Sequence, residues 1–146
     1  MIDVGAGIGD FSIVADLAGA QVYAYDIDPE RIRLLKLNLK INQAKRVKAW
    51  TLDVKRIDEL MDHNNLDRCG FLKIDCEGEE YLIFTNTSDK VLRKINFIAM
   101  EAHLFSPEIE HAYHDLMKRL KDLGFKLDIF NNDVHTYLKF VFASRF

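Results

Sequence analysis

"IDVGAGIGDFS", residues 2–12, carries a short apolar strand into alternating glycines and then into the start of a helix. Gly5, Gly7 and Gly9 give the turn three residues free to adopt positive φ, the local geometry of a strand–turn–helix opening in a parallel α/β sheet. Ligands of such sheets collect at the carboxyl ends of the strands. A GxGxxG dinucleotide fingerprint needs glycine where Asp10 stands. Asp3 and Asp10 put negative charge on either side of the turn, which disfavours a pyrophosphate at the helix N-terminus and suits a cationic ligand.

The chain has 146 residues, 49% of them hydrophobic, and a formal net charge of −3. That length suits one domain with a single core, residues 1–146, and no need of disulfides. No Lys/Arg block dominates, so a general nucleic-acid binder is not expected. Cys69 and Cys76 lack CxxC spacing and read as reduced, packed thiols, which fits the cytoplasm. No apolar run reaches the roughly 20 residues of a membrane span, and no membrane partner is expected.

Outward from the glycine turn, apolar strands alternate with amphipathic helices. "QVYAYDID" (21–28) reads as a strand, and "PERIRLLKLNLKIN" (29–42) as a helix with Asp28 and Pro29 at its start. "RVKAWTLD", "GFLKIDCEG" and "INFIAMEAH" read as strands, "KRIDELMDHN" as a short helix, and "SPEIEHAYHDLMKRLKDLGF" as a helix capped by Ser106 and closed at Gly124. "FKLDIF" and "VHTYLKFVFASRF" form a hairpin through "NND". The expected fold is a mainly parallel α/β sheet with helices on both faces and a C-terminal antiparallel hairpin.

Each strand delivers polar residues to one rim: the glycine turn, Asp26, Asp53, Asp75 with Glu77, and Glu101 with His103. S-adenosylmethionine, with its sulfonium, ammonium and ribose diol, matches the acids near the turn, and Asp26 stands where a carboxylate can accept from both ribose hydroxyls. Clustering of Asp75, Glu77, Glu101 and His103 would raise some of their pKa values and make one a usable base for an alcohol acceptor. Direct base catalysis is expected ahead of a bound hard cation, and no metal is assigned. His111 and His114 fall on the solvent side of their helix, while Trp50, Phe71, Phe84 and Phe97 read as core.

"IDVGAGIGDFS", "YAYDIDP" (23–29), "TLD" (51–53), "FLKIDCEGEE" (71–80) with its K-I-D-x-E-G-x-E pattern, and "MEAH" (100–103) together resemble the FkbM family of S-adenosylmethionine-dependent methyltransferases. The resemblance implies the class I, Rossmann-like methyltransferase fold, and O-methylation of a hydroxyl on a sugar or natural-product-like small molecule or glycan. It assigns Asp3, Gly5, Gly7 and Gly9 to the methionine end of the cofactor, Asp26 to its ribose, Asp53 to its adenine, and Asp75, Glu77, Glu101 and His103 to the reaction side. On this resemblance the sequence is expected to lack the further segment that family members carry before the first strand. An exposed apolar patch is therefore expected beside Met1–Val4, covered by self-association into a homo-oligomer or by a lost segment. The alternative reading is a truncated or degenerate cofactor-binding domain without efficient catalysis; a nicotinamide-dependent reductase is disfavoured by Asp10.

Overall fold

The polar strand ends that the sequence places on one rim belong to two compact units of the computed structural model, Met1–Val54 and the chain from Lys55 on, and the model describes residues 1–145. The first unit runs β1 (Ile2–Val4), α1 (Asp10–Leu17), β2 (Val22–Asp26), α2 (Pro29–Ile41) and β3 (Val47–Thr51), with parallel strands in the order β3-β2-β1. α2 starts because the Asp28 side chain accepts from the Glu30 N–H at 2.8 Å and Pro29 occupies the first turn. Ile32, Leu35 and Leu39 recur at helical spacing and pack with Ile13 of α1 against Val22 and Ala24 of β2. Each such large aliphatic side chain contributes about 1.5–3 kcal/mol by leaving water.

β1 is itself buried, with Ile2 at 0% and Val4 at 2% exposure. The apolar patch expected beside Met1–Val4 is not on the strand. Exposed apolar side chains occur one element later, at Ile8 of the turn and at Phe11, Val14 and Leu17 of α1. β3 stops at Thr51, so Asp53 lies beyond the strand end and is exposed.

The second unit contains α3 (Ile57–His63), β4 (Cys69–Ile74), α4 (Glu80–Asn86), α5 (Asp89–Leu92), β5 (Ile95–His103), α6 (Pro107–Asp122), β6 (Lys126–Asn131) and β7 (Leu138–Ser144). β4 and β5 are parallel; β7 is antiparallel to both β5 and β6, giving the order β4-β5-β7-β6. The hairpin expected from the sequence is present, with its second strand inserted beside β5.

The period of two along these strands separates two faces. Leu72, Ile74, Ile98, Met100, Ala102, Val141 and Ala143 are buried on one, in a core that also takes Ile83, Phe84, Leu116 and Leu120 from α4 and α6. Lys73, Asp75, Ala99, Glu101, Phe140 and Phe142 line a shallow hollow on the other. This alternation corrects part of the expected core. Phe71 and Phe97 pair across β4 and β5 on the more open face, with Phe97 37% exposed, and half-buried Trp50 stacks on Tyr25 at 5.2 Å; only Phe84 of the four aromatics is fully buried.

α4 and α5 are separated at Thr87. Arg119 of α6 holds the break, donating to the carbonyls of Phe84 (2.6 Å) and Thr87 (2.7 Å) and to Asp89. His111 and His114 are exposed, as their helical phase requires. No helix among the described residues is long and apolar enough to cross a membrane.

Candidate active site

In the first unit the glycine turn is fastened to the end of β2. Gly5, Gly7 and Gly9 have φ of 71°, 56° and 98°, a region costly for residues with a Cβ. The Gly7 N–H donates to Asp26 Oδ2 at 2.8 Å, and the Asp28 N–H donates to Oδ1 at 2.9 Å. Asp26 is only 3% exposed, yet each of its oxygens keeps a second lone pair. Asp3 is buried and accepts from the Ser12 hydroxyl at 2.6 Å. Gly5, Gly7, Gly9, Asp3 and Asp26 are thus brought together, whereas Asp53 stays exposed outside this group.

The second unit gathers the other set around His103. His103 ends β5 with 3% exposure; its Nδ1 lies 3.0 Å from Glu80 Oε1 and its Nε2 lies 3.5 Å from Glu77 Oε2. Glu80 has no exposed surface and also accepts the Cys76 N–H at 2.7 Å and the Gly78 N–H at 3.0 Å. With Glu80 ionised, the shared proton sits on Nδ1, so the buried carboxylate fixes the tautomer and presents Nε2 as the acceptor nitrogen. The Tyr81 hydroxyl donates to the His103 carbonyl at 3.0 Å, which fastens the same histidine by its backbone.

Glu77 reaches this histidine through a left-handed backbone, φ 53°, followed by Gly78 at φ 109°. Such backbone stores strain of order 1–3 kcal/mol and concentrates where side chains must be aimed. Glu77 does not cap the next helix. Asp75, Glu101 and His103 each offer an atom within 4.8 Å of the others, close enough to share one hydroxyl or one cation. Lys73 lies 3.6 Å from Asp75 and supplies a positive charge to the set.

Burial raises the Glu101 carboxyl above the ordinary carboxylate range, helped by the charges of Asp75 and Glu77 and opposed by His103 and Lys73. Burial likewise raises Glu80, against the pull of its backbone donors and His103. The Cys76 thiol is pushed up to about 12, first by burial and then by Glu80, which removes it as a nucleophile.

Glu80 is the residue of this cluster that the sequence alone leaves unassigned. Its signal was present as the last acid of K-I-D-x-E-G-x-E, where it reads as an ordinary first-turn helix charge.

A model of the family described as "Methyltransferase FkbM domain" matches residues 4–127, across both units. A Bacillus subtilis ribosomal protein L11 methyltransferase is 29% identical over 134 residues, 87% of this chain; the chain spans 38% of that relative's length. Among solved structures, a precorrin-6y C5,15-methyltransferase from Geobacter metallireducens superposes with a TM-score of 0.70 at 18% identity, covering 99% of this chain and 79% of that one. Magnesium protoporphyrin IX methyltransferase from Synechocystis, solved with bound SAH, gives 0.66 at 16% identity, covering 99% and 72%. The structural likeness is one of fold, the class I methyltransferase fold.

Proposed function

Because the chain belongs to the FkbM methyltransferase family, we propose that it transfers a methyl group from S-adenosylmethionine to a hydroxyl oxygen of a small, uncharged acceptor such as a sugar or natural product, with residues 1–146 acting as one methyltransferase domain. The observation that carries this reading is the buried Glu80–His103 pair, which leaves Nε2 free of Glu80 and 3.5 Å from Glu77, in a histidine clustered with Asp75 and Glu101.

The residues of the first unit fit the cofactor. A Cβ built on Gly7 meets nothing within 4 Å, so the turn leaves open space for a ligand against its backbone. Asp3 and Asp26 supply the acidic acceptors that an ammonium and a ribose diol require, and Asp26 keeps lone pairs for them. Asp53 at the adenine remains the outermost of these assignments. When bound, S-adenosylmethionine supplies an electrophilic methyl on a sulfonium, and its departure as the neutral thioether balances the charge.

In the second unit His103 Nε2 accepts the hydroxyl proton, while Glu80 positions the ring and stabilises the imidazolium that forms. Asp75 and Glu101 accept from neighbouring hydroxyls of the acceptor and hold its oxygen in place. Glu77, 3.5 Å from Nε2, stabilises the same imidazolium. The three carboxylates also repel phosphate, which favours a neutral acceptor over a nucleic acid despite the range of acceptors named for methyltransferases of this fold.

The test is transfer from a labelled methyl donor to a panel of glycosides and alcohols, with Mg²⁺ and with chelator in parallel. Label in an ether product, lost in His103→Ala while SAH still binds, is the expected result. Label in nitrogen or carbon, or full activity of His103→Ala, would overturn the reading.

A further inference from the structure

Three rings run outward from His103. Its imidazole centroid lies 5.2 Å from the Phe105 ring, Phe105 lies 5.3 Å from Tyr137, and Tyr137 lies 5.5 Å from His135. The row passes from the buried histidine to solvent, with Phe105 52% and Tyr137 42% exposed. Single exposed aromatics need no explanation, but a row that begins at a catalytic side chain does.

The row is also held rigidly. The Leu104 N–H donates to the Tyr137 carbonyl at 2.8 Å, tying the loop after β5 to the β6–β7 turn. Within that turn the Leu138 N–H donates to the His135 carbonyl, and Asn132 Oδ1 accepts from the Val134 and His135 N–H groups. Phe105 lies over the turn that bears Glu77, for a Cβ on Gly78 would stand 3.6 Å from its ring. The platform is therefore preformed, and a ligand resting on it gives up little entropy to loop ordering.

We propose that Phe105 and Tyr137 form the acceptor platform and select an alcohol that carries, at or beside its hydroxyl, an uncharged ring with an apolar face. This rests on the methyltransferase reading and specifies its substrate class. Aromatic rings at this spacing bind the flat face of another ring, and the carboxylates beside them exclude anionic forms of the same ring. An aryl alcohol and a pyranoside share that chemistry and are told apart by experiment.

The probes are 2-phenylethanol, methyl glucoside, n-butanol and glucose 6-phosphate, each assayed for methyl transfer and, in the presence of SAH, for saturation-transfer NMR contact with the protein. SAH affinity is measured separately by calorimetry. Wild type should contact and methylate at least one neutral ring probe in preference to butanol and to the phosphate. Phe105→Ala and Tyr137→Ala should each raise KM for that probe by roughly 3–10-fold, the scale of one aromatic pairing, with kcat and SAH affinity changed less. Phe105→Trp should restore binding and Phe105→Leu should not, which separates ring stacking from loop support. Equal use of ring and ringless probes, or Phe105→Leu matching wild type, overturns the platform while SAH binding leaves the methyltransferase reading standing. Absence of any SAH heat overturns both.

Discussion

His103 Nδ1 and Glu80 Oε1 stand 3.0 Å apart with almost no solvent at either side chain. Breaking such a pair leaves a buried charge or a buried ring nitrogen without its partner, so Glu80→Ala should lose about 3–5 kcal/mol of stability. Glu80→Gln keeps one acceptor oxygen and should lose less stability, yet still lower the methyl-transfer rate because the amide stabilises an imidazolium poorly. Denaturant unfolding and rate per folded enzyme separate the two effects. A Glu80→Gln protein with unimpaired rate would remove Glu80 from its positioning role.

Asp26 acts on the cofactor by two routes, as an acceptor and as the anchor of the glycine turn. Asp26→Ala should weaken SAH binding by roughly 1–3 kcal/mol, the range for a lost charged hydrogen bond. Asp26→Asn should fall between, because one oxygen can still accept the Gly7 N–H. Calorimetry reads both, and unchanged affinity in the alanine variant would place the ribose elsewhere.

Gly7 and Gly9 differ in what a methyl group would meet. A Cβ on Gly9 would stand 2.8 Å from Leu35 Cγ in the core, at φ 98°, whereas one on Gly7 meets no atom within 4 Å. Gly9→Ala combines left-handed strain of about 1–2 kcal/mol with overpacking of about 1–3 kcal/mol. Gly7→Ala carries the strain alone and should instead obstruct the ligand. Thermal melts with and without SAH should show a large loss in the first variant and a lost ligand-induced shift in the second; the opposite pattern would contradict the assigned turn.

The raised carboxyl of Glu101 has a definite sign in stability. Between the ordinary carboxylate range and its raised folded value, the native state holds a proton that the unfolded chain releases, so stability falls as pH rises through that window. Glu101→Gln cannot titrate and should show a flatter decline than wild type over the same interval. Melting temperatures of both proteins across mildly acidic pH check this, and parallel curves would show that Glu101 ionises normally.

Much of this was readable before any coordinates. The Gly5–Gly9 turn, the Ser106 and Asp28 caps and β5, with the very bounds quoted from the sequence, follow from local chemistry. The rest depended on distant partners. Glu80 looks like a surface charge until His103, from another element, closes over it. Phe97 looks like core until the strand register puts it on the face opposite Ile98 and Met100. Asp53 reads as a strand end in the sequence, but β3 loses its pairing after Thr51 opposite Asp26.

The order β4-β5-β7-β6 has a consequence during biosynthesis. β6 leaves the ribosome before β7, the one strand of its unit that it pairs with, and so waits with its backbone groups and the exposed Ile129 and Phe130 unsatisfied. A nascent chain stalled between Asn131 and Leu138 would therefore present open edges on both β5 and β6, and it is the translation of Leu138–Ser144 that bridges them, closing the edge of β5 and one side of β6 while β6 stays at the end of the strand order.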